Sequence, residues 1–232
     1  MTRKQPIPSP TAVDRRQFCA GACAALLLGM IGVGASSQAD AARPGLFGYR
    51  ERESRAIKPF LKWTGTLDRY FAERKLEDAP CESGLFNRCH LRDWKSFLRE
   101  ISSWDTMTQI EEINAYMNRA PYILDPINYG VPDYWATPKQ FFVKDGDCED
   151  YAIAKYLSLR ALGFPVRSMR IVVLQDENLR LAHAVLAVYY RGEIYILDNQ
   201  IRRVVTHRRI RHYRPIYSIN EEAWWLHVPA RS

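Results

Sequence analysis

Three residues in the second half of the chain have side chains that could together perform nucleophilic catalysis. Cys148 directly follows Asp145-Gly146-Asp147, where a helix is expected to begin, while His183 and Asp198 fall in two consecutive β-rich segments. The amide groups and positive dipole end of a helix start favour a thiolate there. A histidine can then take the thiol proton, and a carboxylate can hold the imidazole tautomer. The same three residue types would also suit a small core cysteine, a core histidine and a turn aspartate.

The order of the elements predicts how these side chains meet. A helix is predicted over 148–162, because Gly163 and Pro165 follow it and are typical of a helix end. The apolar period then changes to two, which indicates three strands joined by short polar turns. The predicted strands span residues 167–174, 181–190 and 193–199. Antiparallel neighbours would place His183 beside Asp198, and a helix packed on an antiparallel sheet is an α+β arrangement.

The first half of the chain is expected to be helical, with a flexible start. A leader without periodicity is predicted at 42–58, and one folded domain at 59–232. A weak helix at 57–76 and clearer ones at 93–107 and 108–117 are predicted, with Thr108 and Glu111 forming a capping box. The proline-rich stretch 122–138 is expected to be a structured loop of the kind that often lines active sites.

Residues 1–41 are predicted to be an export signal rather than part of the fold. Arg15-Arg16-Gln17-Phe18 precedes a short apolar stretch, and Ala39-Asp40-Ala41 offers small residues for cleavage after Ala41. The arginine pair favours the twin-arginine route over an ordinary signal with an incidental pair. A membrane-spanning helix needs about 20 apolar residues. No stretch of the mature chain meets that requirement, so we expect an exported protein without a transmembrane span.

Charge and composition exclude several classes of protein. The charged fraction of 25% and hydrophobic fraction of 47% are those of an ordinary globular chain. Loss of residues 1–41 removes four basic and two acidic residues, so the net charge falls from +7 to +5. No basic arm interleaved with aromatics is present, which argues against nucleic acid. Six arginines lie near the end, and they form either a solvated sheet edge or a docking patch for an acidic partner: Arg202, Arg203, Arg208, Arg209, Arg211 and Arg214.

Three cysteines remain after predicted cleavage, and their odd number is informative. Cys81 and Cys89 lie in a loop-like stretch and are expected to form a disulfide in an oxidising compartment. A zinc site with His90 is the alternative, but the spacing does not fit a zinc knuckle and no fourth ligand is evident. The disulfide would leave Cys148 as a thiol, which is a liability in an exported protein unless it is used.

Four carboxylates surround Cys148 within six residues, at Asp145, Asp147, Glu149 and Asp150. Their charge would oppose thiolate formation, because like charges raise the pKa of a thiol. The acids therefore either cap the helix, where Asp and Glu are favoured, or hold a cation that neutralises them. Hard oxygen ligands suit calcium better than zinc. The run is not an EF-hand, since Asp150 stands where such a loop has glycine.

Several motifs together resemble the bacterial transglutaminase-like cysteine proteinases, the LapG family. The resemblance covers about residues 93–225 and depends on five segments in a fixed order. These are Asp133-Tyr134-Trp135-Ala136-Thr137-Pro138, Asp145-Gly146-Asp147-Cys148-Glu149-Asp150-Tyr151-Ala152 with Lys155-Tyr156, His183-Ala184-Val185-Leu186, Leu197-Asp198-Asn199 and Pro215-Ile216-Tyr217-Ser218-Ile219-Asn220. The resemblance implies a papain-like or transglutaminase-like core and a triad of Cys148, His183 and Asp198.

Further expectations follow from this resemblance. A LapG-type protease is periplasmic, requires calcium and cuts a large biofilm adhesin near its N-terminus at an Ala-Ala bond. An inner-membrane cyclic-di-GMP receptor sequesters it. Calcium dependence would make Asp147, Glu149 and Asp150 the expected ligands, with Asp145 as an additional candidate. The twin-arginine-like signal and the Cys81/Cys89 pair are not diagnostic of that branch.

The predicted reaction is amide hydrolysis through an acyl-enzyme. Cys148 would attack, His183 would act as base and then acid, and Asp198 would orient His183. The oxyanion would lie at the Cys148 backbone N–H and a second donor, for which Trp135 or its loop is a candidate. Acyl transfer to an amine and a non-catalytic partner-binding role are the alternatives.

Overall fold

The computed structural model describes residues 45–74 and 89–230, which form helices packed against one antiparallel sheet. The helices are α1 (Leu61–Glu73), α2 (Cys89–Ile101), α3 (Thr106–Met117), α4 (Asp125–Asn128), α5 (Pro138–Lys144) and α6 (Cys148–Ala161). The strands are β1 (Arg50–Ser54), β2 (Met169–Asp176), β3 (Leu181–Tyr190), β4 (Glu193–Leu197), β5 (Val205–Thr206), β6 (Tyr213–Ile219) and β7 (Trp224–Val228). No helix within the described ranges is long and apolar enough to cross a membrane.

The seven strands lie in the order β1-β7-β6-β2-β3-β4-β5, and every neighbouring pair is antiparallel. The helices come first in the chain and most of the strands follow, which is the α+β arrangement predicted from the sequence. The β2-β3-β4 meander is confirmed, because β2 pairs with β3 and β3 with β4. Short turns at 177–180 and 191–192 make these pairings local.

Helix α6 is buried between the sheet and the other helices. It packs against β2 and β3 on one side and against α3 and α5 on the other. Its buried residues therefore occupy most of its circumference, unlike those of an amphipathic surface helix. The helix ends where Gly163 adopts a φ of +92°, a left-handed conformation that is costly for residues with a Cβ.

Apolar side chains cover both faces of the central strands. Leu186 and Val188 of β3 join the core that contains α6, whereas Val185 and Ala187 join a second core on the other face. Leu46, Ile210 and Tyr213 close this second core. Burial on both faces explains why β2 and β3 are continuous apolar runs in the sequence.

The first described residues differ from the predicted flexible leader. Within 42–58, residues Arg50–Ser54 form β1, which pairs with β7 at the sheet edge. The strand has no apolar periodicity because it is held by polar contacts. Glu51 accepts a hydrogen bond at 2.6 Å from the buried Arg170 guanidinium. The guanidinium in turn lies 3.6 Å from the centre of the Trp225 ring.

Helix boundaries also differ from the sequence prediction in the first half. Helix α3 begins at Thr106, and its N-cap is Asp105, whose carboxylate accepts from the backbone N–H groups of Met107 and Thr108. The predicted capping box of Thr108 and Glu111 is therefore wrong. A short Asp side chain ahead of the helix reaches the first free amides directly, so the helix starts two residues earlier.

The arginine-rich segment lies largely at the surface. Arg208 and Arg214 form ion pairs with Glu193 and Glu177 at 3.0 and 2.7 Å. Together with Arg211 they line a groove of about 460 Å³. Mostly exposed ion pairs of this kind contribute little to stability. A solvated edge accounts for the segment, and docking of an acidic partner remains a prediction.

Candidate active site

Cys148 is the first residue of helix α6 and is largely buried, with 6% of its surface exposed. Asp147 precedes it as the N-cap, and the backbone N–H of Asp147 donates to a carboxylate oxygen of Asp150 at 3.4 Å. The Cys148 thiol donates to Oε2 of Glu149 at 3.2 Å. The thiol therefore lies at a helix N-terminus, as predicted, and in direct contact with one of the neighbouring acids.

His183 and Asp198 meet as the strand pattern predicted. His183 lies in β3, and Asp198 comes one residue after the last residue of β4, Leu197, whose partner in β3 is Leu186. Nε2 of His183 lies 2.9 Å from Oδ1 of Asp198, and both side chains are almost fully buried. The C-cap of α3 holds this strand end, because Asn118 Nδ2 donates to the Asp198 carbonyl at 2.8 Å.

The Asp198 carboxylate is ionised in this setting. Burial alone would raise the pKa of Asp198, but hydrogen bonds from His183, Tyr213 and the Gln200 backbone outweigh it and hold the pKa below its usual value. The Gln200 N–H donates to Oδ1 at 2.8 Å, and the Tyr213 hydroxyl donates to Oδ2 at 2.6 Å. Both carboxylate oxygens thus have donors, as buried charges require.

These contacts assign the tautomer of His183. An ionised Asp198 only accepts, so Nε2 carries the proton and Nδ1 retains its lone pair. The side-chain amide of Gln200 lies 3.4 Å from Nδ1 and can donate to it. Nδ1 is the ring atom directed away from Asp198, and it is therefore the atom able to take a proton from a thiol.

Tyr213, the first residue of β6, contacts both members of the His183–Asp198 pair. Its ring packs edge-on against the His183 ring at 5.7 Å between centroids. Burial and then the charge of Asp198 raise the pKa of Tyr213, and the Cys148 thiolate charge contributes in the same direction. Tyr213 is therefore within electrostatic range of both Asp198 and Cys148. The sequence analysis did not select Tyr213 or Gln200, because only the tertiary fold brings them to Asp198.

A cluster of acids lies beside Cys148. The three sequence-predicted residues Asp147, Glu149 and Asp150 belong to it, and Asp125 and Asp133 join them from the 122–138 loop. Two sets of three residues each bring one carboxylate oxygen per residue within 4.8 Å of the others. The sets are Asp125, Asp133 and Glu149, and Asp125, Asp147 and Asp150. We refer to these five residues as the acidic cluster.

The electrostatics of the acidic cluster are opposite to those of Asp198. Burial, followed by repulsion from Asp147, raises the pKa of Asp125 to about 7 and holds the pKa of Glu149 and Asp150 well above the usual range. Lys62 forms an ion pair with Asp133, at the edge of the cluster. One carboxylate oxygen of each of Asp125, Asp133 and Asp147 is buried without a hydrogen-bond donor among the described residues.

This chemistry fits a hard divalent cation. Calcium takes six to eight oxygen ligands and readily accepts carboxylates. The cluster offers several carboxylates with buried oxygens that receive no hydrogen bond from the part of the chain that the structure describes. The contribution of Asp125 and Asp133 was missed by the sequence analysis. Asp133 begins the Asp133–Pro138 motif, but nothing in that pattern marks its side chain as facing Cys148.

Asp145 is placed differently from the other predicted ligands. It is the C-cap of α5 with a φ of +60°, and none of the metal-compatible groups among the described residues includes it. Its backbone carbonyl accepts from Asn128 Nδ2 at 3.4 Å. Asp145 therefore contacts the 122–138 loop through its backbone, while its role as a ligand remains a prediction.

Trp135 lies next to the cluster, with its backbone tied to α1 and its ring in the core. The Trp135 carbonyl accepts from Thr66 Oγ1 at 2.7 Å and Arg69 Nη2 at 2.6 Å, and its ring contacts that of Trp63 at 6.4 Å. The next amide, of Ala136, donates to Asp150 at 2.7 Å. These contacts fix the loop beside helix α6, and the oxyanion role of Trp135 stays a prediction.

Three predictions fall on residues outside the described ranges. These are the export signal at 1–41, the part of the leader before residue 45, and Cys81 of the expected disulfide. Cys89 is the first residue of α2, but its side chain is not described. The disulfide and its zinc alternative with His90 therefore remain predictions.

Comparisons with known proteins show which family and which solved structures the chain is similar to. The family model that describes the bacterial transglutaminase-like cysteine proteinases matches residues 84–231, which is more than half of the chain. Calcium-bound LapG of Legionella pneumophila is 32% identical, with a TM-score of 0.59, over 68% of this chain and 87% of LapG. EGTA-treated LapG from the same organism is 31% identical, with a TM-score of 0.58, over 68% and 84% of the two chains. No curated protein matches the chain.

Proposed function

The chain belongs to the bacterial transglutaminase-like cysteine proteinases, and we propose that it is a calcium-dependent endopeptidase with Cys148, His183 and Asp198 as its triad. The observation that carries the proposal is the buried His183–Asp198 hydrogen bond of 2.9 Å, formed beside a helix that begins at Cys148. Charge-assisted hydrogen bonds of this kind orient a catalytic base without a cost at the moment of reaction.

The proposed reaction has two halves. In the first, Cys148 Sγ attacks the carbonyl carbon of the scissile amide while its proton passes to Nδ1 of His183. The imidazolium then donates that proton to the departing amine nitrogen, which leaves a thioester on Cys148. In the second half, His183 takes a proton from water, the hydroxide oxygen attacks the thioester, and the acid leaves as the thiol is restored.

Asp198 and the helix start stabilise the charges that develop. Asp198 accepts from Nε2 of His183 and keeps the imidazole in the tautomer that presents a basic Nδ1. The Cys148 backbone N–H is in the first turn of α6, where amides point out of the helix start, and it is the first proposed oxyanion donor. Trp135 or its loop is the proposed source of the second donor.

We assign a calcium site to the acidic cluster, with Asp147, Glu149 and Asp150 as the main ligands. The calcium-bound form of LapG supports this assignment. When bound, the cation supplies positive charge that offsets the clustered carboxylates. Asp125 and Asp133 face the same space, and Asp145 is the weakest candidate. Glu149 accepts from the Cys148 thiol in the structure, so a Glu149 carboxylate engaged elsewhere would cease to hold the thiol proton.

The proposed substrate is a large surface adhesin cut at an Ala-Ala-type bond, so that the enzyme controls biofilm. The proposed site of action is the periplasm, and an inner-membrane cyclic-di-GMP receptor is the proposed regulator. These assignments depend on the resemblance to the LapG family, together with the export signal expected at 1–41. Nucleic acid is not a proposed partner.

Incubation with a candidate adhesin fragment in calcium tests the activity. Wild type should yield two fragments with a new carboxyl end, and Cys148→Ala should yield none. A product linked through an isopeptide bond would identify an acyl transferase, because an amine would then have resolved the thioester. No product of either kind would exclude this substrate class.

Iodoacetamide labelling tests the nucleophile without any substrate. Cys148 should be alkylated in the folded protein well below the ordinary thiol pKa of about 8.5, whereas Cys81 and Cys89 should stay unlabelled without reductant. Labelling of Cys148 only after denaturation would show a core cysteine and refute the mechanism.

A further inference from the structure

The Asp198 carboxylate is held from two sides by groups with different functions. His183 Nε2 and the Gln200 N–H contact Oδ1, whereas Oδ2 receives its hydrogen bond from the Tyr213 hydroxyl at 2.6 Å. Tyr213 is itself buried, with 1% of its surface exposed. A buried phenol aimed at the second oxygen of this carboxylate is a specific arrangement, not a general packing contact.

We propose that Tyr213 is a positioning residue of the protease, which fixes Asp198 so that Oδ1 remains on His183 Nε2. The inference rests on the proposed function, since it assigns His183 as the base. The terminal torsion of an aspartate is soft and roughly two-fold, so the carboxylate needs a second fixed contact to hold one orientation. The Tyr213 and His183 rings also pack in an edge arrangement with their centroids 5.7 Å apart, which limits the tilt of the His183 ring.

Among residues 45–74 and 89–230, no other charged group near this pair supplies the same contact. Lys155 of α6 is fully buried, which lowers its pKa to about 7 although the charge of Asp198 opposes this, and its Nζ has no hydrogen-bond partner among the described residues. A charge without a hydrogen bond attracts the carboxylate but does not select one of its oxygens. The charged and titratable groups that face Asp198 or Tyr213 from the neighbouring elements are Lys155, Cys148, His183, Asp176 and His212.

The hydroxyl also favours the ionised form of Asp198. Donation from Tyr213 to Oδ2 lowers the pKa of Asp198, after the larger effects of burial, which raises it, and of His183, which lowers it. Loss of the hydroxyl would leave Oδ2 buried without a donor, which disfavours the carboxylate. The pKa of Asp198 should therefore rise when Tyr213 becomes Phe.

The first test compares Tyr213→Phe with Tyr156→Phe. Tyr156 also donates to a carboxylate, Glu221 Oε1 at 3.0 Å, and its ring is also buried, so it matches Tyr213 in chemistry and burial but lies away from Asp198. Tyr213→Phe should lower kcat roughly 10-fold with KM within about twofold, because orientation of the base and not substrate binding is affected. Tyr156→Phe should leave kcat unchanged. Equal kcat in both variants would overturn the proposal.

The second test does not require cleavage. The Asp198 carboxyl carbon is followed by ¹³C NMR against pH, with its signal assigned by its loss in Asp198→Asn. The pKa of Asp198 should lie below 3.8 in wild type and should be higher in Tyr213→Phe. A wild-type midpoint at or above 3.8, or an unchanged midpoint in Tyr213→Phe, would contradict the inference.

The two tests separate this inference from the proposed function. If wild type cleaves nothing but the Asp198 midpoint rises in Tyr213→Phe, the protease assignment fails and the Tyr213 contact stands. If wild type cleaves and both readouts are unchanged in Tyr213→Phe, the protease assignment stands and Tyr213 is only a core residue. The thermal midpoint of Tyr213→Phe confirms folding, and if that variant unfolds, a wild-type Asp198 midpoint at or above 3.8 still overturns the inference.

Discussion

Asp198 and the acidic cluster are two groups of carboxylates that differ in how completely the protein supplies them with hydrogen-bond donors. Asp198 has donors on both oxygens, and its pKa is lowered by the hydrogen bonds from His183, Tyr213 and Gln200 despite burial. The acidic cluster has carboxylate oxygens without donors, and burial and mutual repulsion raise its pKa values. Neighbours, and not burial, therefore determine which buried aspartate is ionised.

The described part of the chain itself satisfies the hydrogen bonds and charge of one group of carboxylates and leaves those of the other group unsatisfied. The His183–Asp198 pair has its geometry and charge fixed by the chain itself, so it needs nothing further to orient the base. Full ionisation would give the acidic cluster more negative charge than the surrounding residues offset, although Lys62 contacts Asp133, and the raised pKa values reflect this. Under the proposed function, an external cation completes it. Four predictions test this contrast, in order of decreasing effect.

The largest effect should come from disrupting the completed pair. Asp198→Asn keeps the shape of the side chain but lets an amide face His183, which favours the wrong tautomer. We expect kcat to fall about 10⁴-fold with little change in thermal midpoint. His183→Ala should lower kcat by at least the same factor, because the members of a triad act as a unit. Fragment formation in single-turnover assays measures both, and near-wild-type kcat in either variant would remove the assignment.

The next effect should come from the incomplete cluster. EGTA should reduce cleavage at least about 100-fold and added calcium should restore it, because the carboxylates would otherwise retain the thiol proton. Asp147→Asn, which removes a proposed ligand and leaves Glu149 beside the thiol, should mimic EGTA, while the exposed acid Asp68 provides a matched control as Asp68→Asn. Full activity in EGTA, with no change of thermal midpoint on adding calcium, would leave the acids as helix caps.

A smaller effect should appear in the pH dependence of stability without calcium. The pKa of Asp125 is about 7 in the folded protein, against 3.8 for an ordinary aspartate, so the folded state binds a proton that the unfolded state has lost. The stabilisation that this proton gives to the folded state is fully present below pH 3.8 and is lost as pH rises through about 7. In EGTA the thermal midpoint should fall over this range.

Asp125→Asn should remove part of this fall, because the amide does not ionise. In EGTA near pH 8, this substitution should raise the free energy of unfolding by about 1–2 kcal/mol, which corresponds to a rise of roughly 3–6 °C in the thermal midpoint. Asp198 should behave oppositely: its contribution is present above pH 3.8 and is lost as pH falls through the lowered pKa. Calorimetry across pH measures both trends, and a thermal midpoint of EGTA-treated wild type that rises between pH 3.8 and 7 by as much as that of Asp125→Asn would contradict the charge assignment of Asp125.

The smallest effect should come from Gln200. Its backbone contact with Asp198 survives substitution, and only the side-chain contact with Nδ1 at 3.4 Å is lost in Gln200→Ala. One neutral hydrogen bond contributes about 0.5–1.5 kcal/mol, so kcat should fall about two- to tenfold. A loss comparable with that of Asp198→Asn would mean that the side chain, and not Asp198, orients the ring.

The part of the site that the sequence predicts is the part built by local order. Cys148 precedes a helix with a clear end signal, and His183 and Asp198 occupy adjacent strands whose turns fix their register, so residue type and alternation suffice. Asp125, Gln200 and Tyr213 reach the site only through tertiary contacts. Their local patterns are those of a loop, a turn and an ordinary core strand, and none of these distinguishes a functional side chain.

The same reasoning explains the strand that the sequence missed. β1 contains Arg50-Glu51-Arg52-Glu53, which has no apolar face and would be disordered in isolation. It becomes a strand because β7 offers an open edge and because Arg170, buried between aromatic rings, requires Glu51 as its counter-charge. Both partners lie more than 100 residues further along the chain.

The pairing of β1 with β7 also has a consequence for the order of folding. Residues 148–197 contain α6 and the β2-β3-β4 meander, whose contacts close short loops, whereas β1 and β7 join almost opposite ends of the described chain. Loop closure over so long a span costs entropy before it gains contacts, so this pairing is expected late. The scaffold of the triad can therefore assemble first. Weakening β1 should accelerate unfolding while hardly slowing folding, since its contacts are absent at the barrier.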